Sequence, residues 1–182
     1  MNVIQYPCGC LNEVHTLTGA MYCAGKCKQH RDRLARQPKG FAYYHGLCAI
    51  DDAGKPRPAN YVREFADAIG PFPMGEVVVE IGCGASPYVD GLRAAGCKQY
   101  VGVDPDPWAC EWMRKTYGVE MLCSLFPIPA GMGELPEADM VLCTHALEHM
   151  YDAVEGLSQM HRLLTPGGFL SLVVPDDTDP TN

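Results

Sequence analysis

From residue 76 onward the chain changes its hydrophobic period again and again, and few folds accept that pattern. Glu76-Val77-Val78-Val79-Glu80-Ile81-Gly82 is a short β-branched run, as expected for a strand buried on both faces. Residues 87–95 then read as a helix ending at Gly96, and Gln99 to Asp104 as a second strand. Pro107 to Tyr117 is a helix with Trp108, Trp112 and Met113 on one face, followed by short strands over Val119–Cys123 and Asp139–Cys143. A helix over Ala153–Leu164 is stopped by Thr165-Pro166-Gly167-Gly168, and Phe169–Val174 is the fifth strand. Strands alternating with helices at this spacing predict a doubly wound, mostly parallel α/β sheet of Rossmann-like type.

Upstream, residues 41–75 read as a connecting segment. It holds a turn-rich stretch at 51–58 and a helix near 60–69, where Asn60 serves as N-cap and Gly70-Pro71 as stop. Tyr43, Tyr44 and His45 form a lid over a ligand or pack as ordinary aromatics. The expected domains are thus 1–40, 41–75 and 76–182. The 182 residues fit one ordinary domain with a small appendage, and a hydrophobic content of 47% suffices for a core. The start has neither the basic nor the apolar region of a secretory signal, and no run is long enough to span a membrane. A cytoplasmic protein with reduced cysteines is expected.

The net charge of −8 is uneven. Residues 1–40 carry six Lys/Arg against Glu13 and Asp32, and the remainder carries eight against twenty. A basic end on an acidic body implies two different surfaces. The acidic body is unsuited to wrapping nucleic acid, whereas Lys26, Lys28, Arg31 and Arg33 suit a phosphate backbone.

That same end holds Cys8-x-Cys10 and, after twelve residues, Cys23-x3-Cys27-x2-His30. Five soft ligands in 23 residues predict a structural zinc knuckle, with Cys8, Cys10, Cys27 and His30 as ligands and Cys23 as an alternative. A segment this small cannot build a core of its own, so metal would stabilise it directly. Cys48, Cys83, Cys97, Cys110, Cys123 and Cys143 stand singly and read as packing residues.

The turn after the first buried strand is the chemically informative one. In Glu80-Ile81-Gly82-Cys83-Gly84 two glycines stand where ligands bind in such sheets, and glycine lets a backbone take positive φ or be approached closely. Plain turn chemistry explains an isolated Gly-x-Gly equally well. Pro87 occupies the place of the third glycine of a dinucleotide fingerprint, and suits the start of a helix instead. Asp104 ends the next strand, twenty residues after Gly84. A carboxylate there can accept both hydroxyls of a ribose, or can simply cap the helix that follows. The two features in register favour a nucleoside.

Four ordered segments, VVVEIGCGASPY, VGVDPDPW, ADMVLCTHALEHMYD and RLLTPGGFLSLVVP, resemble the class I S-adenosylmethionine-dependent methyltransferases over roughly residues 60–175. The resemblance implies that Gly82 and Gly84 face the methionine moiety of S-adenosylmethionine, with Glu80 at the base of the pocket. It places Asp104 at the ribose, Pro105 beside the adenine, and Thr144, His145 and Ala146 near the donor methyl. Where the family often has an acid near the adenine amine, this chain has Cys123-Ser124-Leu125, so that Ser124 or the backbone would serve there. His145 and His149, with Glu148 between them, are the candidate general bases, and the same segment is often structural in the family. The acceptor, a small molecule or RNA, is open.

The family usually continues past the fifth strand with an antiparallel hairpin, which leaves this chain with an exposed sheet edge. A naturally minimal enzyme, a dimer or partner protein along that edge, or a truncated chain would account for it. The alternative to an enzyme is a non-catalytic methyltransferase-like module acting through its zinc end and that edge.

Overall fold

A computed structural model describes residues 3–5, 11–14, 21–23, 40–46, 50–56, 76–150 and 152–174. The chain divides into two compact units, Met1–Gln37 with Pro175–Asn182, and Pro38–Val174. The first unit contains an antiparallel meander of β1 (Val3–Gln5), β2 (Leu11–Val14) and β3 (Met21–Cys23), with Val3 opposite Glu13 and Val14 opposite Met21. Strands of three and four residues are too short to show an alternating pattern, and none was read there. Cys23 lies at the end of β3 opposite Asn12. Cys8, Cys10, Cys27 and His30 lie outside the described residues, as do the helix expected near 60–69 and Cys48.

The second unit begins with α1 (Gly40–Gly46) and a tight loop in which the Asp51 carboxylate accepts from the N–H groups of Ala53 and Lys55, 2.9 and 2.8 Å. Its body is a five-stranded sheet of β4 (Val77–Ile81), β5 (Gln99–Asp104), β6 (Glu120–Cys123), β7 (Ala138–Thr144) and β8 (Leu164–Val173), in the order β6-β5-β4-β7-β8. Every pairing in it is parallel. Central β4 is buried on both faces, which explains its unbroken apolar run. Val78, Tyr100, Met140 and Leu142 look towards one core layer with α2 (Val89–Ala94) and α3 (Pro107–Tyr117). Val79, Ile81, Val101, Val103, Val141 and Cys143 look towards the other, where Met160 of α4 (Ala153–Leu163) packs.

Three local expectations are corrected. Pro87 does not open α2: the chain bends at Pro87, Ser86 Oγ accepts from Tyr88 N–H at 3.2 Å, and the helix starts at Val89. The stop after α4 is not a plain loop: β8 begins at Leu164 and carries an irregularity, with Ala138 opposite Leu164 and Met140 already opposite Phe169. Asp139 anchors it, accepting from Thr165 Oγ1 at 3.2 Å and from Val77 N–H at 3.0 Å. Finally, Cys83, Cys97, Cys110 and Cys143 are buried packing residues, but Cys123 is exposed at the end of β6.

β8 is a sheet edge. Phe169, Leu170, Leu172 and Val173 are exposed along it. Among the described residues no helix is long and apolar enough to cross a membrane.

Candidate cofactor site at the carboxyl edge of the sheet

The first glycine turn folds back over the neighbouring strand. Gly82 and Cys83 donate their N–H groups to Val103 O, at 2.7 and 3.2 Å, and Gly82 and Gly84 take φ of +69° and +52°. A Cβ on Gly82 would stand 2.3 Å from Ala146 Cβ, so what approaches this backbone so closely is the chain's own turn after β7. That contact lies between β4 and β7, where the strand order reverses and where open α/β sheets bind ligands.

Asp104 closes the other side. Its Oδ2 accepts from Gly84 N–H and its Oδ1 from Asp106 N–H, both at 2.8 Å, and the residue is 5% exposed. Its carbonyl accepts from Ser124 N–H at 3.1 Å and from Cys110 Sγ at 3.3 Å. The carboxylate therefore ties the glycine turn to the β5–α3 loop and is held in one orientation. Helix capping falls to Asp106, whose Oδ1 accepts from Trp108 N–H at 3.0 Å ahead of Pro107 at N1. Asp106 was missed as a site residue; the Asp-Pro-Trp spacing was its signal.

Glu80 lies beneath the turn. Ser86 Oγ and Tyr100 OH both donate to its Oε2, at 2.7 and 2.6 Å. Burial pushes its carboxyl up to about 7; the two hydroxyls pull it down, and the nearby Asp104 charge adds to the rise. Burial also holds the Cys83 thiol well above its usual value, helped by Asp104 and Glu80. Tyr100 and Ser86 were not read as site residues, since nothing in their spacing announces a buried acid.

On the far side, Thr144 ends β7, and His145 takes the left-handed φ of +51° while donating its N–H to Val173 O at 2.9 Å. Glu148 Oε1 lies 3.9 Å from His145 Nδ1 and from His149 Nε2, and both imidazoles are exposed. Glu148 Oε2 is buried without a hydrogen-bond partner. Pro105 is half-buried beside Asp104, and Ser124, buried, donates its hydroxyl to Leu125 O at 3.0 Å. Gly82, Gly84, Asp104, Pro105 and Ser124 thus share one edge with Thr144 and His145, with Glu80 below. His45, in the last turn of α1, pairs with Asp52 of the following loop at 2.7 Å. Among the described residues no cluster of three or more His, Cys, Asp or Glu has the geometry of a metal site.

A glycine turn and a fixed acid at the carboxyl edge of a parallel sheet in this strand order define a Rossmann-like, doubly wound domain. Within that class the chain belongs to the methyltransferase domain family, whose description "Methyltransferase domain" matches residues 79–172. The tRNA U34 carboxymethyltransferase of Pseudoalteromonas translucida is 32% identical over 103 residues, covering 54% of this chain and 31% of that protein. Its counterpart in Shewanella amazonensis is 31% identical over 111 residues, covering 56% and 33%. This chain therefore spans about a third of the length of the curated relatives it matches.

Two solved structures share the fold. One is the S-adenosylmethionine-bound amino pentose methyltransferase of Micromonospora echinaspora, at 18% identity and a TM-score of 0.56, covering 74% of this chain and 56% of that one. The other is a TehB-like S-adenosylmethionine-dependent methyltransferase from Corynebacterium glutamicum, at 18% identity and 0.52, covering 79% and 72%.

Proposed function

We propose that this chain binds S-adenosylmethionine at the edge formed by β4, β5 and β7 and transfers its methyl group to an acceptor. The observation that carries the reading is Asp104, a buried carboxylate held by Gly84 and Asp106 at the strand tip where a ribose diol is received. The donor set fits the cofactor: a carboxylate for two hydroxyls, a glycine turn with positive φ for the methionine end, and a half-buried proline for the adenine side. Ser124 has its proton committed to Leu125 O, so it offers the adenine amine an acceptor oxygen.

Bound S-adenosylmethionine supplies a methyl group on a sulfonium. The chain's task is then to exclude water and hold donor and acceptor in line, worth about 7–11 kcal/mol of barrier in well-aligned systems. Where the acceptor must lose a proton, His145 or His149, each beside Glu148, takes it. An RNA acceptor is favoured by the names of the relatives and by the basic residues Lys26, Lys28, Arg31 and Arg33.

Zinc held by Cys8, Cys10, Cys27 and His30, or with Cys23 replacing one of them, rests on the ligand spacing. Elemental analysis of purified protein should find one zinc per chain, lost in Cys8→Ser with Cys10→Ser; metal-free folded protein would refute it.

The cofactor is tested by calorimetric titration of S-adenosylhomocysteine into the wild type and Asp104→Ala. Micromolar binding, weakened by about 1–3 kcal/mol in the variant, is expected for losing hydrogen bonds to a charged group. A folded wild type that binds nothing sinks the reading. The exposed apolar edge of β8 favours the second reading, a non-catalytic binding module; it predicts binding at that edge and no turnover with any acceptor.

A further inference from the structure

One pair of thiols, one buried and one exposed, flanks the loop after β5. Cys123 is exposed where β6 ends, directly opposite Asp104 in the β5–β6 register, and its Sγ lies 3.9 Å from Pro105 O. Cys110 projects from the first turns of α3, buried, with its Sγ 3.3 Å from Asp104 O. The two sulfurs thus reach successive carbonyls of one short loop, from opposite elements. In the second unit the other described cysteines, Cys83, Cys97 and Cys143, are buried. Burial, with Cys123 beside it, pushes the Cys110 thiol up, so Cys110 is inert alone and Cys123 is the sulfur that meets an oxidant first.

We propose that Cys110 and Cys123 are a peroxide-sensitive pair whose disulfide clips β6 to α3 across the Asp104–Asp106 loop and weakens nucleoside binding there. The first step transfers one oxygen: the Cys123 sulfur attacks the peroxide, the O–O bond breaks, an alcohol or water leaves, and a sulfenic acid remains. In the second, the Cys110 sulfur attacks that of Cys123 and the S–S bond forms. The S–O bond breaks, and hydroxide leaves as water with the proton from Cys110. A reducing dithiol reverses the bond. Both thiol contacts to the loop carbonyls are lost when the sulfurs bond, so the loop that positions Asp104 must shift.

The effect on binding rests on the cofactor reading above; the bond itself does not. The test treats the reduced full-length chain with hydrogen peroxide, maps cross-linked peptides by mass spectrometry, and titrates S-adenosylhomocysteine before and after. The expected result is a Cys110–Cys123 linkage with affinity lowered about tenfold, restored by dithiothreitol, while Cys123→Ser keeps its affinity through the same treatment. Oxidation that stops on Cys123 with Cys110 still a thiol overturns the pair, and a linkage that leaves affinity unchanged overturns the switch. Reduced protein that binds no S-adenosylhomocysteine fails the cofactor reading instead, with the peptide map still deciding the bond.

Discussion

Glu80 is an acid placed where an acid is costly. Its carboxyl is fully buried, and two hydroxyls donating to one oxygen do not offset the loss of water. The folded protein therefore holds a proton on Glu80 that the unfolded chain has released, between the ordinary 4.5 and about 7. Its contribution to stability is full below that window and is lost as pH rises through it, opposite to the usual surface acid. Across the window the loss is about 3 kcal/mol from this group. Glu80→Gln keeps the acceptor for Ser86 and Tyr100 and cannot ionise. Urea denaturation from pH 4 to 8 should show the variant gaining on the wild type as pH rises; parallel curves would sink the assignment. The sequence makes Gly82, Gly84 and Asp104 legible because their roles depend on backbone and strand position. It hides Ser86 and Tyr100 because their partner is reached only after β4 and β5 pair.

Among the elements, two glycines with nearly the same φ do different jobs. Gly118, at +63°, closes α3 in the left-handed region with open space around it. Gly82, at +69°, has Ala146 against it. Gly118→Ala should cost about 1 kcal/mol, the backbone penalty alone. Gly82→Ala adds overpacking between two stiff turns and should cost about 2–4 kcal/mol. Comparable midpoints for both in urea would refute the close approach. The strand and helix order of the body was legible, since each element carries its own period. The irregular start of β8 was not: Thr165 to Gly168 reads as a stop, and only Asp139 from another strand makes it part of the ladder.

At the scale of the whole molecule, charge and exposure set the behaviour. β8 presents apolar side chains along an edge, and Leu164–Val173 contains no charged residue that would discourage another strand from pairing with it. Leu172→Lys should lower self-association, read by light scattering at rising concentration; unchanged scattering would mean that the edge is already covered. The uneven charge was legible, but the meander of the first unit was not, because its strands are too short to leave a pattern.

The sheet order also carries a birth order. β4 is the first of the five strands to leave a ribosome and ends at the centre, so the sheet must be laid down outwards from its middle. By residue 123 the chain already contains Glu80 with its partners Ser86 and Tyr100, and Asp104 with its partners Gly84 and Asp106. Ala146, which fills the space over Gly82, is still unsynthesised. The half proposed to receive the nucleoside is therefore synthesised before the flank beside which the chemistry would run, and β8 arrives last on an edge that nothing synthesised earlier in the sheet has closed.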